Sequence, residues 1–123
     1  MDFTPVAAAM RERLAALPGA APEPASAPGA LIFKVMGKVF AILSYGKVQA
    51  VSLKCDPHLA EILREQYAGV GHRYHLDRRH WISVSLDADV PAEEVEHLLA
   101  NSYELVCAGL TKKQKAELAG LPA

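Results

Sequence analysis

The sequence predicts an α+β fold in which a twisted antiparallel sheet packs in a two-layer sandwich against helices. Three strand-like segments cluster within residues 31–54, and two more lie within residues 72–86, with helix-like segments before, between and after them. Successive parallel strands need long crossover connections, so strands joined by short turns indicate antiparallel pairing. We expect a single domain over residues 1–123, since this length is typical of one domain.

Helices are predicted where capping residues precede apolar residues spaced three or four positions apart. The first covers residues 5–17, the second follows residue 56, the third follows residue 90, and a short basic helix ends the chain. A polar cap accepts free N–H groups of the first turn, and proline fits the start of a helix. The predicted caps and first-turn residues are Thr4 with Pro5, Asp56 with Pro57, Pro91, and the capping-box pair Thr111 and Gln114.

Strands are predicted at residues 31–35, 38–43 and 47–54, with a short fourth strand at 72–76 and a fifth at 80–86. The fifth alternates cleanly, with Trp81, Ser83 and Ser85 on one side and the apolar Ile82 and Val84 on the other. This alternation indicates a strand that buries one face.

The segment 18–30 contains four prolines among alanines and glycines. Proline interrupts helices and removes a donor from central strands. We therefore predict an extended surface connection here, between the first helix and the sheet.

Composition narrows the class of protein. Hydrophobic residues make up 51% of the chain and charged residues 22%, as in ordinary globular proteins. No apolar run reaches the roughly 18 residues that cross a membrane, and no basic and apolar leader is visible. We expect a cytoplasmic protein with no membrane partner, in which Cys55 and Cys107 are free thiols.

Charge is distributed unevenly along the chain. Residues 31–81 carry eight Lys and Arg against four acids, whereas residues 82–110 carry six acids and no Lys or Arg. Such asymmetry is able to orient a protein toward a polyanion. It is equally typical of a solvated sheet face beside a solvated helix face.

A basic and aromatic cluster between residues 72 and 81 is the sharpest candidate site. Forked arginine donors bind phosphate and aromatic rings stack on bases, so the cluster predicts contact with DNA. The candidate nucleic-acid-binding residues are Lys38, Lys47, Lys54, Arg73, His75, Arg78 and Arg79. The alternative is a solvated turn beside a core tryptophan, for which Trp81→Ala is expected to cost about 3–5 kcal/mol. The net charge of −1 favours this alternative.

Other chemistry has less support in the sequence. A pocket lined by His75, Trp81 and Ser102 would indicate a small ligand. The histidine spacing completes no metal set, and Cys55 beside a helix start is either an activated thiol or a packed apolar one. No nucleophile-elbow or phosphate-loop motif is present, so we assign no catalytic residue, metal or cofactor and regard a non-enzymatic role as the better hypothesis.

Several short motifs occur together in one order along nearly the whole chain. They are Leu17-Pro18-Gly19, Gly37-Lys38-Val39-Phe40-Ala41, Ser52-Leu53-Lys54-Cys55, Tyr74-His75-Leu76, His80-Trp81-Ile82-Ser83-Val84, Val90-Pro91 and Ser102-Tyr103-Glu104-Leu105-Val106. In these the chain resembles the MmcQ/YjbR family of small bacterial proteins. The proline-rich segment after residue 19 departs from the acidic or aromatic residues that many members carry there.

The resemblance implies a CyaY-like, that is frataxin-like, α+β sandwich and a DNA-binding role through a double-winged arrangement of hairpins. Our leading hypothesis is therefore a DNA-binding module that uses the basic hairpin side. The rival hypothesis is a protein- or small-ligand-interaction domain with no nucleic-acid role. We expect a monomer or weak homodimer, and the sequence identifies no protein partner.

Overall fold

The structure, a computed structural model, describes residues 4–26, 28–73 and 76–121. Its helices are α1 (Pro5–Ala15), α2 (Pro57–Gln66), α3 (Ala92–Ala108) and α4 (Lys112–Ala119). Its strands are β1 (Ala20–Pro24), β2 (Ala30–Val35), β3 (Lys38–Tyr45), β4 (Gln49–Lys54), β5 (Val70–Gly71) and β6 (Trp81–Ser85).

Within the described residues the six strands form one sheet in the order β1-β2-β3-β4-β6-β5. Every neighbouring pair is antiparallel. Buried side chains of α1, α2 and α3 belong to one core cluster together with one face of this sheet. The predicted α+β class, with an antiparallel sheet packed on helices, is therefore confirmed.

The two faces of the sheet differ in chemistry. The helix-covered face presents apolar residues that pair across neighbouring strands, namely Leu31, Leu43, Val51 and Val84, all buried. The opposite face, here called the open face, presents Ile32, Ile42, Ser52, Ser83, Lys54 and Trp81. No residue of the open face belongs to the core cluster, because side chains alternate between faces along a strand.

The helix caps lie where the sequence predicts them. The Thr4 hydroxyl accepts a hydrogen bond from the N–H of Ala7, and the Asp56 carboxylate accepts from His58 and Leu59. Thr111 and Gln114 form the reciprocal capping box. These local hydrogen bonds satisfy donors that a helix leaves free at its first turn.

The proline-rich segment is not merely a connection, since residues 20–24 form the edge strand β1 beside β2. Pro22 and Pro24 are two residues apart, so both direct their nitrogen to the same side of the strand. The N–H of Ala25, on the other side, donates to the carbonyl of Ala30. The prolines thus face outward, where an edge strand makes no ladder hydrogen bonds.

The short strand predicted at 72–76 is displaced toward the N-terminus. The pairing strand is β5, where Val70 pairs with Val84 and is buried. Of the predicted strand, residues 72, 73 and 76 are not in a strand, and residues 74 and 75 lie outside the described residues. The Leu76 N–H donates to the carbonyl of Arg73.

A β-bulge ties the sheet to α3. The register between β2 and β3 shifts so that Phe40 has no partner in β2. Ser102, which is fully buried, donates from Oγ to the Phe40 carbonyl at 2.6 Å and accepts from the Lys54 N–H at 2.8 Å. The serine hydroxyl therefore satisfies backbone groups of β3 and β4 beside the bulge.

Candidate nucleic-acid interface

The hairpin lysines do not share one surface. Lys38 begins β3 and donates from Nζ to the Gly109 carbonyl at 3.0 Å, beside the end of α3. Lys47 is exposed in the turn that follows β3. The eight residues of β3 separate these positions by roughly 20–25 Å, so the two lysines lie at opposite ends of the sheet.

Arg73 is already engaged within the molecule. Its Nη1 donates to Ser44 Oγ at 2.9 Å, although the segment after β5 is three strands away from β3 in the sheet. The half-buried side chain therefore holds this segment against the sheet. His75, which the sequence also nominates, lies outside the described residues.

Lys54, Arg78, Arg79 and Trp81 form the cluster that we call the Trp81 patch. Lys54 is directly opposite Trp81 in the pairing of β4 with β6, and both are half-buried on the open face. Arg78 and Arg79 are exposed in the turn that leads into β6. These residues lie at the end of the sheet where β4 ends and β6 begins; Lys38, at the start of β3, is at the same end but bonds to Gly109 at the end of α3.

Asp77 shapes the turn that carries the two arginines. Its Oδ1 accepts from the Arg79 N–H at 2.9 Å, and its carbonyl accepts from the N–H groups of His80 and Trp81. Its Oδ2 lies 2.6 Å from Nδ1 of His80. The hydrogen bond from His80 is the main cause that lowers the pKa of Asp77, so this carboxylate stays charged to lower pH than an ordinary aspartate does.

Arg64 of α2 also holds this turn, and sequence reasoning missed it. Its Nη2 donates to the carbonyl oxygen of Trp81 at 2.9 Å and to that of Arg78. An arginine on a helix surface gives no local signal for such a role, because its acceptors lie 14 and 17 residues away. Arg64 therefore fixes the position of the Trp81 patch relative to α2.

Cavities on the surface are lined by described residues at two places that matter here. One of about 590 Å³ lies between α2 and the turn at 77–80 and is lined chiefly by charged side chains: His58, Glu61, Arg64, Glu65, Arg78 and Arg79. The other, of about 470 Å³, lies between α1 and α3 and has apolar walls, including Val6, Met10, Leu86, Val90 and Val95. An ion pair between Arg13 and Glu96 at 2.5 Å lies on the second cavity.

The sequence predicts a pocket lined by His75, Trp81 and Ser102. Of these, the structure describes Trp81 and Ser102, and these two do not line a common pocket. Trp81 projects from the open face, whereas Ser102 projects from α3 onto the helix-covered face. The sheet itself separates them. Trp81 is also outside the core cluster, so the loss of 3–5 kcal/mol expected for a core tryptophan is too large for this position.

Cys55 is a packed thiol. It is 2% exposed, and burial, followed by the charge of Asp56, raises its pKa to about 11. A thiol that stays protonated at neutral pH is a poor nucleophile. Both cysteines are free, as predicted.

In the native protein we expect the Cys107 thiol to react quickly with a disulfide reagent at pH 8. We expect the Cys55 thiol to react only as the protein unfolds. Cys107 is half-exposed and Cys55 is buried, so Cys107→Ser should remove the fast phase and Cys55→Ser should leave it. The number of thiols that react before unfolding, followed by absorbance, measures this. A fast phase that survives Cys107→Ser would contradict the burial of Cys55.

Within the described ranges, no three side chains of His, Cys, Asp and Glu are grouped to hold a metal ion. No helix in the same part of the chain is long and apolar enough to cross a membrane.

The family model described as YjbR matches residues 15–105, and the chain belongs to the YjbR family. This confirms the predicted family.

Individual relatives agree. The Escherichia coli K12 protein YjbR, described as uncharacterized, is 44% identical over 55 residues, which is 45% of this chain and 47% of that protein. The match thus spans about half the length of that relative. YbdF of E. coli O157:H7 is 31% identical over 68% of this chain and 70% of its own length, and YyaQ of Bacillus subtilis is 31% identical over 61% and 63%.

Solved structures share the fold. The crystal structure of Deinococcus radiodurans protein DR2400, a DUF419 domain, superposes with a TM-score of 0.81 at 36% identity and covers 92% of this chain and 86% of that one. A crystal structure from Pseudomonas syringae superposes with a TM-score of 0.69 at 23% identity, covering 80% and 96%. The second likeness concerns the fold alone.

Proposed function

We propose that the protein is a DNA-binding module that contacts single-stranded DNA through the Trp81 patch. The observation that carries the proposal is the pairing of Lys54 with Trp81 on the sheet face that the core helices leave open. Arg78 and Arg79 lie in the turn that leads directly into Trp81. Arginine forks and a lysine ammonium suit phosphates, and the accessible part of the half-buried indole suits a base.

Single-stranded DNA fits better than duplex. Stacking on Trp81 requires an unstacked base, which a strand supplies without the cost of opening a duplex. A double-winged duplex surface would need the hairpin lysines to act together, and Lys38 and Lys47 lie at opposite ends of β3. The proposal therefore narrows the candidate set to three cations and one aromatic ring.

The charge distribution supports this surface. Four of the six acids in residues 82–110 lie on α3, which packs on the helix-covered face. These four acids are thus on the side away from Trp81 and Lys54.

The test is binding of a fluorescently labelled oligonucleotide, measured by anisotropy across a salt series. Three phosphate contacts predict a slope of log K against log salt of about −2 for a single strand. Replacing Arg78 and Arg79 together with alanine should bring the slope to about −0.7.

The matched control replaces Lys38 and Lys47, which removes two positive charges elsewhere and should change the slope little. If the two double variants lose the same affinity for the oligonucleotide, net charge alone accounts for binding. Absence of binding at low salt would retire the proposal.

Trp81→Ala should weaken binding of the oligonucleotide by roughly five-fold or more, since stacking on one base contributes about 1–3 kcal/mol. Because Trp81 is half-buried, we expect a loss of only about 1–2 kcal/mol in the free energy of unfolding. Trp81→Phe should retain most of the affinity. Trp81 is the only tryptophan, so quenching of its fluorescence on titration with DNA would report the contact directly.

A second candidate function is small-ligand binding in the cavity between α1 and α3. Its volume of about 470 Å³ and its apolar walls lie within the usual range for ligand pockets. A thermal-shift screen with small apolar compounds tests it, and Val95→Arg, which would fill the cavity, should abolish any shift found.

A further inference from the structure

We infer that the charged cavity between α2 and the turn at 77–80 binds the terminal phosphate monoester of a DNA strand. The inference rests on the proposed function, because it assigns a place to one end of the strand that contacts the Trp81 patch. Arg78 and Arg79 belong both to the cavity and to that patch, so the strand would pass from Trp81 on the open face around the turn at 77–80 to the side of α2.

The inner side of the cavity is built around Arg64. Its Nη2 joins α2 to the turn through the carbonyl oxygens of Arg78 and Trp81. Its Nε is buried and has no hydrogen-bond partner among the described residues. The wall of the cavity therefore carries a positive charge that two backbone carbonyl groups hold in place.

The two arginines of the turn form no side-chain ion pair among the described residues. No carboxylate there lies within 4.0 Å of the Arg78 or Arg79 guanidinium, although Asp77 of the same turn pairs with His80 and is near enough for the charge of Arg79 to help lower its pKa. Glu61 and Glu65 also line the cavity and are exposed, which leaves three arginines against two glutamates. The lining of the cavity therefore carries one more positive than negative side chain, and this balance favours an anion.

A terminal phosphate suits this cavity better than an internal one. An internal phosphodiester carries one negative charge, and its chain must leave in two directions. A terminal monoester carries about −1.5 to −2 charges at pH 7 and presents three acceptor oxygens. A terminal phosphate can enter the cavity from its open side, while Arg64 links α2 to the turn on the inner side. The forked N–H groups of the arginines match the phosphate oxygens.

The experiment compares oligonucleotides of one sequence with a 5′-phosphate, a 3′-phosphate or hydroxyls at both ends. We expect at least one phosphorylated form to bind about ten-fold more tightly than the hydroxyl form. Arg79→Ala should reduce this ratio toward one, whereas Glu61→Gln with Glu65→Gln should increase it. Arg13→Ala, an exposed arginine on α1, serves as the control and should leave the ratio unchanged.

The outcomes separate the two proposals. Equal binding of all three oligonucleotides would overturn the terminal-phosphate inference and leave DNA binding intact. No binding of any would overturn both. Competition by inorganic phosphate or by a nucleoside monophosphate at the same concentration as the oligonucleotide would also overturn the inference, because the cavity would then recognise free phosphate compounds.

Discussion

Replacing Phe40 with alanine is expected to lower the free energy of unfolding by about 3–5 kcal/mol, the range for losing a fully buried aromatic ring. Phe40 is 0% exposed and lies at the bulge of β3. Its ring contacts Tyr103 edge-to-face at 5.4 Å between centroids and Phe33 at 6.4 Å. The substitution would remove both aromatic contacts and leave a cavity between the sheet and α3.

Urea denaturation followed by circular dichroism measures this loss, provided that the denaturant dependence of the free energy stays unchanged. Phe40→Leu, which keeps most of the volume, should cost clearly less. A Phe40→Ala protein within 1 kcal/mol of the parent would show that the bulge residue does not anchor α3, contrary to the packing described.

Ser102→Ala should cost about 2–4 kcal/mol, an unusually large effect for removing one hydroxyl. The hydroxyl is 0% exposed and bonds to the Phe40 carbonyl and the Lys54 N–H. Alanine would leave both backbone groups without that partner, and each buried unpaired group costs about 1–3 kcal/mol. The same denaturation measurement applies.

Ser85→Ala is the matched control, because Ser85 is a half-buried strand serine outside the core cluster. Its loss should stay within about 0.5 kcal/mol. If Ser102→Ala and Ser85→Ala lose a similar free energy of unfolding, water replaces the Ser102 hydroxyl as the partner of the two backbone groups. Since Lys54 belongs to the Trp81 patch, a weakened DNA affinity in Ser102→Ala would further indicate that the bulge positions the patch.

Much of the candidate site could not be located from the sequence. The candidate residues were chosen because they are basic or aromatic, which the sequence shows directly. The face and the end of the sheet on which each residue lies depend on how the strands pair. Lys38 and Lys47 flank one strand and therefore lie at its opposite ends. Arg64 became part of the site only through bonds to carbonyl groups 14 and 17 residues away.

The sequence by itself determined the features that depend on neighbours along the chain. Thr4, Asp56 and Thr111 cap their helices because a cap acts within three residues. The alternation in residues 81–85 assigned Trp81 and Ile82 to opposite faces, because side-chain direction in a strand has a period of two.

Only the tertiary structure decided the features that depend on long-range pairing. The proline-rich segment became strand β1 because β2 offers it an edge, and β5 formed at Val70 because that side chain is buried opposite Val84. Trp81 lies outside the core because every core helix packs on the other face of the sheet. These features depend on contacts between residues that are far apart in the sequence. A local sequence pattern does not contain the free energies of those contacts.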